Sequence, residues 1–197
     1  MIDFIRQYAD FRSVDVLDAH DEDMTSRFTD LFASTSRPFL RSTYPGHVTA
    51  SALVIAPQLN AALFTFHKKA KKWLQLGGHA DEHETSPAQT ALREAQEESG
   101  LRHLKTFSWQ GQITPIDLDI HAIPGWAGEP PHNHYDVRYL LATDRPDDIQ
   151  ISDESDYLRW FTFAEARKQI DEISILRLLD KAERILNLPQ IEDSFIP

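Results

Sequence analysis

The run from Arg93 to Gly100, Arg-Glu-Ala-Gln-Glu-Glu-Ser-Gly, constrains this chain more than any other stretch. Residues three and four apart share one face of a helix, so Glu94, Glu97 and Glu98 would stand together within a single turn. Like charges at that spacing repel. The face is therefore either simply solvated or built to hold a cation, and hard cations such as Mg2+ take oxygen ligands of this kind. The flanking residues mark the helix well. Ser86 suits the N-cap, Pro87 the first helical position, and Gln89 would complete a capping box with Ser86. Gly100 falls where a left-handed C-cap is needed. Ala88, Ala91, Leu92 and Ala95 recur at helical spacing and are small, which predicts close packing on a sheet with the glutamates turned outward. Upstream, Gly77-Gly78 offers a backbone that can turn tightly and approach a ligand.

Taken whole, the string from Gly78 to Leu101 resembles the signature of the Nudix hydrolases. That pattern is Gly, five residues, Glu, seven residues, Arg-Glu, an apolar residue, any residue, Glu-Glu, any residue, Gly and an apolar residue. Gly78, Glu84, Arg93, Glu94, Ala95, Glu97, Glu98, Gly100 and Leu101 match it. Eight residues rather than seven separate Glu84 from Arg93, and the intact register after Arg93 puts the extra residue in the loop before Ser86.

The resemblance implies an α/β/α sandwich with a mixed sheet. It implies hydrolysis of a nucleoside diphosphate linked to another moiety, with Mg2+ or Mn2+ as cofactor. On the matching positions it assigns metal binding to Glu94 and Glu98, with Glu97 as a further ligand and the Gly77 carbonyl added. Arg93 would join the catalytic set by orienting the glutamates, and Gly78 and Glu84 would brace the loop. The general base would be Glu97 or a downstream acid, Glu154 being the choice from the polar loop that also holds Asp153 and Asp156. A small phosphorylated substrate is the expected partner, and the resemblance leaves room for a homodimer. A different class of protein, a catalytically silent nucleotide sensor or protein-binding module on the same fold, would be expected to lose glutamates from the cluster; all three are present here.

Histidines supply a second set of candidates. His132, His134 and Asp136 alternate, so on a strand they share a face. That spacing suits a transition metal, a polar face lining a substrate cleft, or plain exposure to solvent. We assign His132 and His134, together with His79 beside the glycine pair, to substrate binding. The lysines between His67 and Lys72 read as a basic turn that could steer an anion.

The remainder reads as helices followed by alternating strands. Residues 1–36 carry two apolar stripes, Phe4, Ile5, Tyr8 and Phe11, then Met24, Phe28, Leu31 and Phe32, and form a helical N-terminal extension. The core, residues 45–197 of a single domain, has strands over 48–56, 61–66, 73–76, 104–113, 116–123, 132–143 and 158–163. A last helix runs over 173–187, with Ile173, Leu176, Leu179, Ala182 and Leu186 on one face. The composition, 41% hydrophobic and 26% charged across 197 residues, is that of an ordinary globular protein. Net charge is −11, from 31 acidic and 20 basic residues, which disfavours long nucleic acid as a partner. No apolar run approaches the roughly 18 residues that span a membrane. The start lacks a basic segment followed by an apolar one, and there is no cysteine, hence no disulfide or thiolate ligand. A cytoplasmic location is the expectation.

Overall fold

The computed structural model describes residues 2–12, 19–68, 70–125, 130–152, 155–188 and 191–197. Two N-terminal helices, α1 (Asp3–Arg12) and α2 (Ala19–Ser34), precede a sheet built from β1 (Gly46–Ala56), β2 (Ala61–His67), β3 (Lys72–Leu74) and β4 (Leu76–His79). Helix α3 (Pro87–Ser99) follows, then β5 (Lys105–Trp109), β6 (Gln112–Ile113), β7 (Asp117–Ile123), β8 (His132–Ala142) and β9 (Ser155–Thr162). The chain closes with α4 (Phe163–Gln169), α5 (Ile173–Leu186) and the short β10 (Phe195–Ile196). The main path of the sheet is β10-β5-β8-β1-β2-β3, with β4 added to β1, β7 to β8, β9 to β2 and β6 to β5. β1 and β8 run parallel over ten residue pairs, Gly46 against Asn133 through Ile55 against Ala142, while the other pairings are antiparallel. The sheet is therefore mixed, with helices on both sides.

Strand alternation decides which residues meet which helices. Val48, Ala50, Ala52 and Val54 of β1, with Val137, Tyr139 and Leu141 of β8, form one core with Ala91 and Ala95 of α3, with Phe4, Ile5 and Tyr8 of α1 and with the stripe of α2, while Phe11 of α1 joins the other core. Their neighbours Leu53, Ile55 and Leu140 form a second core with α4 and α5. The expected stripes of the N-terminal extension are thus buried as read, Phe32 only partly.

Three local expectations change. The stretch 73–76 is two strands, β3 and β4, and β4 carries Gly77 and Gly78 into the sheet opposite Ser51 and Ala50 instead of leaving them in a loop. The stretch 104–113 is a hairpin, because Gln110 and Gly111 both take positive φ, 52° and 75°, which suits a tight two-residue turn. Helix α5 is present, but its buried stripe is Ile175, Leu178, Leu179, Ala182 and Ile185, while Ile173 is 77% exposed. The predicted face was misplaced because a lysine, Lys181, belongs to the buried side.

Lys181 explains itself through an ionic network that joins three parts of the chain. Its ammonium donates to Asp21 of α2 at 2.5 Å, Asp117 of β7 at 2.6 Å and the Tyr8 hydroxyl of α1 at 2.9 Å. Tyr8 donates in turn to Asp21, and Arg12 lies 3.4 Å from the same carboxylate. Asp117 also faces Arg177 and Arg138, and Arg138, only 2% exposed, continues to Asp119 and Asp136. Burial by itself would push the carboxyls of Asp21, Asp117 and Asp119 up. The surrounding partners outweigh it, Lys181 first for Asp21 and Asp117, and the hydrogen bond with His121 followed by Arg138 and Arg177 for Asp119, so all three sit below the ordinary carboxylate range.

A carboxylate whose folded-state pKa is depressed stabilises the fold above its unfolded value and loses that contribution as pH falls through the folded one. The network should therefore be at full strength down to about pH 4, the ordinary carboxylate value, and fail below it. Thermal melts across pH 2–8 should show the midpoint dropping steeply only in that acid limb. Lys181→Met should lower stability at neutral pH by about 3–5 kcal/mol, because it strands buried carboxylates. A variant as stable as the parent would mean that the network contributes little net energy.

Candidate active site

The glutamates do not all point outward as expected. Glu98 is 8% exposed and Glu94's side chain 15%, while Glu97's is 60%. The reason lies in β4. Gly78 backs directly onto Glu94: a Cβ there would come within 2.7–2.9 Å of the Glu94 carboxylate. The Gly77 amide donates to Glu98 Oε1 at 3.4 Å. Gly78 thus makes room for the Glu94 carboxylate, and Gly77 offers its amide to Glu98. Ala91 and Ala95, both fully buried, let α3 come that close.

Arg93 holds the arrangement from the side. Its Nε and Nη2 bond both oxygens of Glu84 at 3.0 Å, Nη1 reaches Glu94 at 3.0 Å and Glu97 at 2.9 Å, and Nη2 also donates to the His79 carbonyl at 2.8 Å. The two-pronged contact with Glu84 is the strong, direction-fixing kind. It holds Glu84 below the ordinary carboxylate range and pushes the guanidinium up. Glu84 accepts as well from the Asp81 amide at 3.0 Å and the Thr90 hydroxyl at 2.9 Å. The longer spacing between Glu84 and Arg93 is accommodated before a continuous α3. The expected Ser86–Gln89 capping box does not form: Ser86 makes no side-chain cap, and Glu84 ties the loop to the helix through Thr90 instead. Gly100 does take the left-handed C-cap, at φ 74°.

His79 follows Gly78, so its side chain leaves the opposite face of β4. There it joins His132 and His134 of β8, as the shared-face reading requires, and also His47 of β1, which sequence reasoning missed. His79 Nε2 and His132 Nε2 lie 3.2 and 3.3 Å from His134 Nε2. His47 is fully buried, with its ring centroid 5.0–5.1 Å from those of the other three. Burial first, and then the neighbouring imidazoles, push His134 down to about 2, so it is neutral. Asp136 does not join this group although it shares the face. Its carboxylate is taken by Arg138 at 2.9 Å and the Ser51 hydroxyl at 2.7 Å. Of the basic turn, Lys71 and Lys72 are paired with Asp156 and Glu172. Asp153 and Glu154 lie outside the described residues.

A family model described as the NUDIX domain matches residues 45–179. The chain belongs to the NUDIX family. It is a Nudix hydrolase, and the sheet with helices on both faces is the Nudix fold with two helices added at the N-terminus. Among solved structures it resembles a NUDIX-family hydrolase from Clostridium perfringens, at 25% identity and TM-score 0.57, over 71% of this chain and 97% of that one. An Ap4A hydrolase from C. elegans, in a binary complex, follows at 22% identity and TM-score 0.52, over 71% and 96%. The NUDIX domain of Shewanella oneidensis NrtR, complexed with ADP ribose, shares the fold at 15% identity and TM-score 0.53, over 81% and 98%. A search of curated proteins finds no match. Among the described residues, no helix is long and apolar enough to cross a membrane.

The two glycines make a paired test of this Nudix geometry. At Gly77 an added Cβ would sit 2.4–2.6 Å from Ser51 and the Ala50 carbonyl, which cannot move without breaking β1–β4. At Gly78 it would first meet the far end of the flexible Glu94 side chain. Gly77→Ala should therefore cost about 3 kcal/mol and Gly78→Ala about 1 kcal/mol, read from urea midpoints. Equal costs would show that the sheet, and not the helix, adjusts at both positions.

Proposed function

We propose that this Nudix hydrolase cleaves the diphosphate linkage of a nucleoside diphosphate joined to another moiety, with Mg2+ or Mn2+ held by Glu94 and Glu98, by Glu97 and by the Gly77 carbonyl. The observation that carries this reading is the convergence of Glu94 and Glu98 on the Gly77-Gly78 pair beside the Arg93 fork. An all-oxygen donor set of carboxylates and a carbonyl fits a hard divalent cation. When bound, such an ion neutralises phosphate oxygens and makes a water more acidic.

The chain's own residues do the rest. Arg93 orients Glu94 and Glu97 and fixes the His79 carbonyl, and Glu84 keeps Arg93 in place. Glu97, the most exposed of the three glutamates, is our choice of proton acceptor, with Glu154 the alternative. His79, His132 and His134 are candidates for contacts to the substrate. The fold shared with an Ap4A hydrolase and with a NUDIX domain that binds ADP ribose supports a small nucleotide-derived substrate. The acidic net charge speaks against a long nucleic acid. Residues 45–197 would form the catalytic core, and a cytoplasmic location goes with such a substrate.

Glu98→Gln keeps shape and helix propensity while removing a charge. It should reduce turnover by several orders of magnitude and weaken Mn2+ binding, with the thermal midpoint kept or raised as repulsion among the glutamates is relieved. Glu22→Gln on α2 is the matched control and should change none of these. The assay is product identification over nucleotide sugars, dinucleotides and nucleoside triphosphates, with Mg2+ or Mn2+ and with chelator. Near-parental turnover of Glu98→Gln would point instead to a nucleotide sensor or binding module on the same fold.

A further inference from the structure

The geometry points to a second metal site in this protein, a transition-ion site formed by the imidazoles of His47, His132 and His134, with a fourth position beside His79. The nitrogen atoms of the three lie within 4.8 Å of one another. A tetrahedral Zn2+ with nitrogen ligands at about 2.0–2.1 Å separates those ligands by about 3.3–3.4 Å. His132 Nε2 and His134 Nε2 are already 3.3 Å apart, and His79 Nε2 is 3.2 Å from His134 Nε2. These are the edges of such a coordination shell.

The surroundings support a ligand role. His132 Nδ1 lies 3.0 Å from the Pro130 carbonyl, which can only accept, so Nδ1 carries the hydrogen and Nε2 turns its lone pair toward His134. A ring nitrogen bound to a carbonyl behind the other, ligating nitrogen is the usual support of a metal-bound histidine. Tyr44 donates to the same carbonyl at 2.8 Å and sets its ring edge-on to His132. The frame is rigid, because His47 and His134 are register partners in the parallel β1–β8 pair and His79 is held through β4. Nitrogen donors without a carboxylate select borderline ions such as Zn2+, Co2+ or Ni2+ over Mg2+.

The site is separate from the glutamates. Gly78 faces Glu94 on the α3 side of the sheet, and the next residue, His79, faces the other side. The inference therefore does not rest on the carboxylates binding an ion, and the two can fail independently.

The experiment uses full-length, untagged protein stripped with chelator. Co2+ is titrated in excess Mg2+, reading the intense visible absorption of tetrahedral cobalt and the metal bound per chain. One equivalent of Co2+ should give the band, Zn2+ should remove it, and Zn2+ should raise the thermal midpoint. Glu98→Gln should keep all three responses. His134→Gln and His132→Gln should weaken binding at least about tenfold. His132 is only half-buried, so that variant should still fold and keeps the test valid if His134→Gln does not. Absence of the band in the parent, its persistence in His132→Gln, or its loss in Glu98→Gln alone would each overturn the proposal and leave the histidines as a hydrogen-bonded chain.

Discussion

The close approach of α3 to β1 and β4 is the constraint on which the active-site region depends. It exists because small residues stand at its centre: Ala50 and Ala52 on β1, Gly78 on β4, Ala91 and Ala95 on α3. A larger side chain at Gly78, Ala91 or Ala95 would press on this contact and displace the Glu94 carboxylate or the helix that carries it. The approach also brings the Arg93 guanidinium to the His79 carbonyl, so one side chain ties helix, loop and strand together. Glu84 lies on the far side of that guanidinium and completes the tie. Packing of apolar atoms thus sets the positions of the polar ones, and the site inherits its rigidity from the core beneath it.

On the other face of the sheet, charge does what small residues do on the first. Arg138 links Asp136, Asp117 and Asp119, and Lys181 links Asp117 to Asp21 and Tyr8. The N-terminal helices are therefore fastened to β7 and α5 by buried ion pairs as well as by their aromatic stripes. Asp136 extends the same network to Ser51, Thr49 and Gln75, which places it directly behind the strand that carries the glycine pair. Buried pairs of this kind contribute less net stability than their number suggests, yet they penalise any arrangement that separates the partners. Here they tie the N-terminal helices to the domain that the family model matches from residue 45.

Short-range signals made much of this legible before any tertiary contact was known. The spacing of Glu94, Glu97 and Glu98, the apolar runs of β1 and β2, the alternation of β7 and β8, the stripes of α1 and α2 and the C-cap at Gly100 all follow from the character and period of the local structure and from the Cβ that glycine lacks. Sequence alone thus determined the helix, its carboxylates, the family resemblance and the acidic balance. It could not determine which face of α5 is buried, because Lys181 counts as polar until Asp21 and Asp117 are beside it, and those residues are 160 and 64 positions away. Nor could it reveal His47, which pairs with His134 only through the parallel β1–β8 register. That Glu94 and Glu98 are half or fully buried, and that Asp136 serves Arg138 instead of the histidines, were likewise decided by tertiary structure. The physical reason is common to all of these. Periodicity reports which side of its own element a residue occupies, whereas burial and charge pairing depend on which distant element arrives on that side.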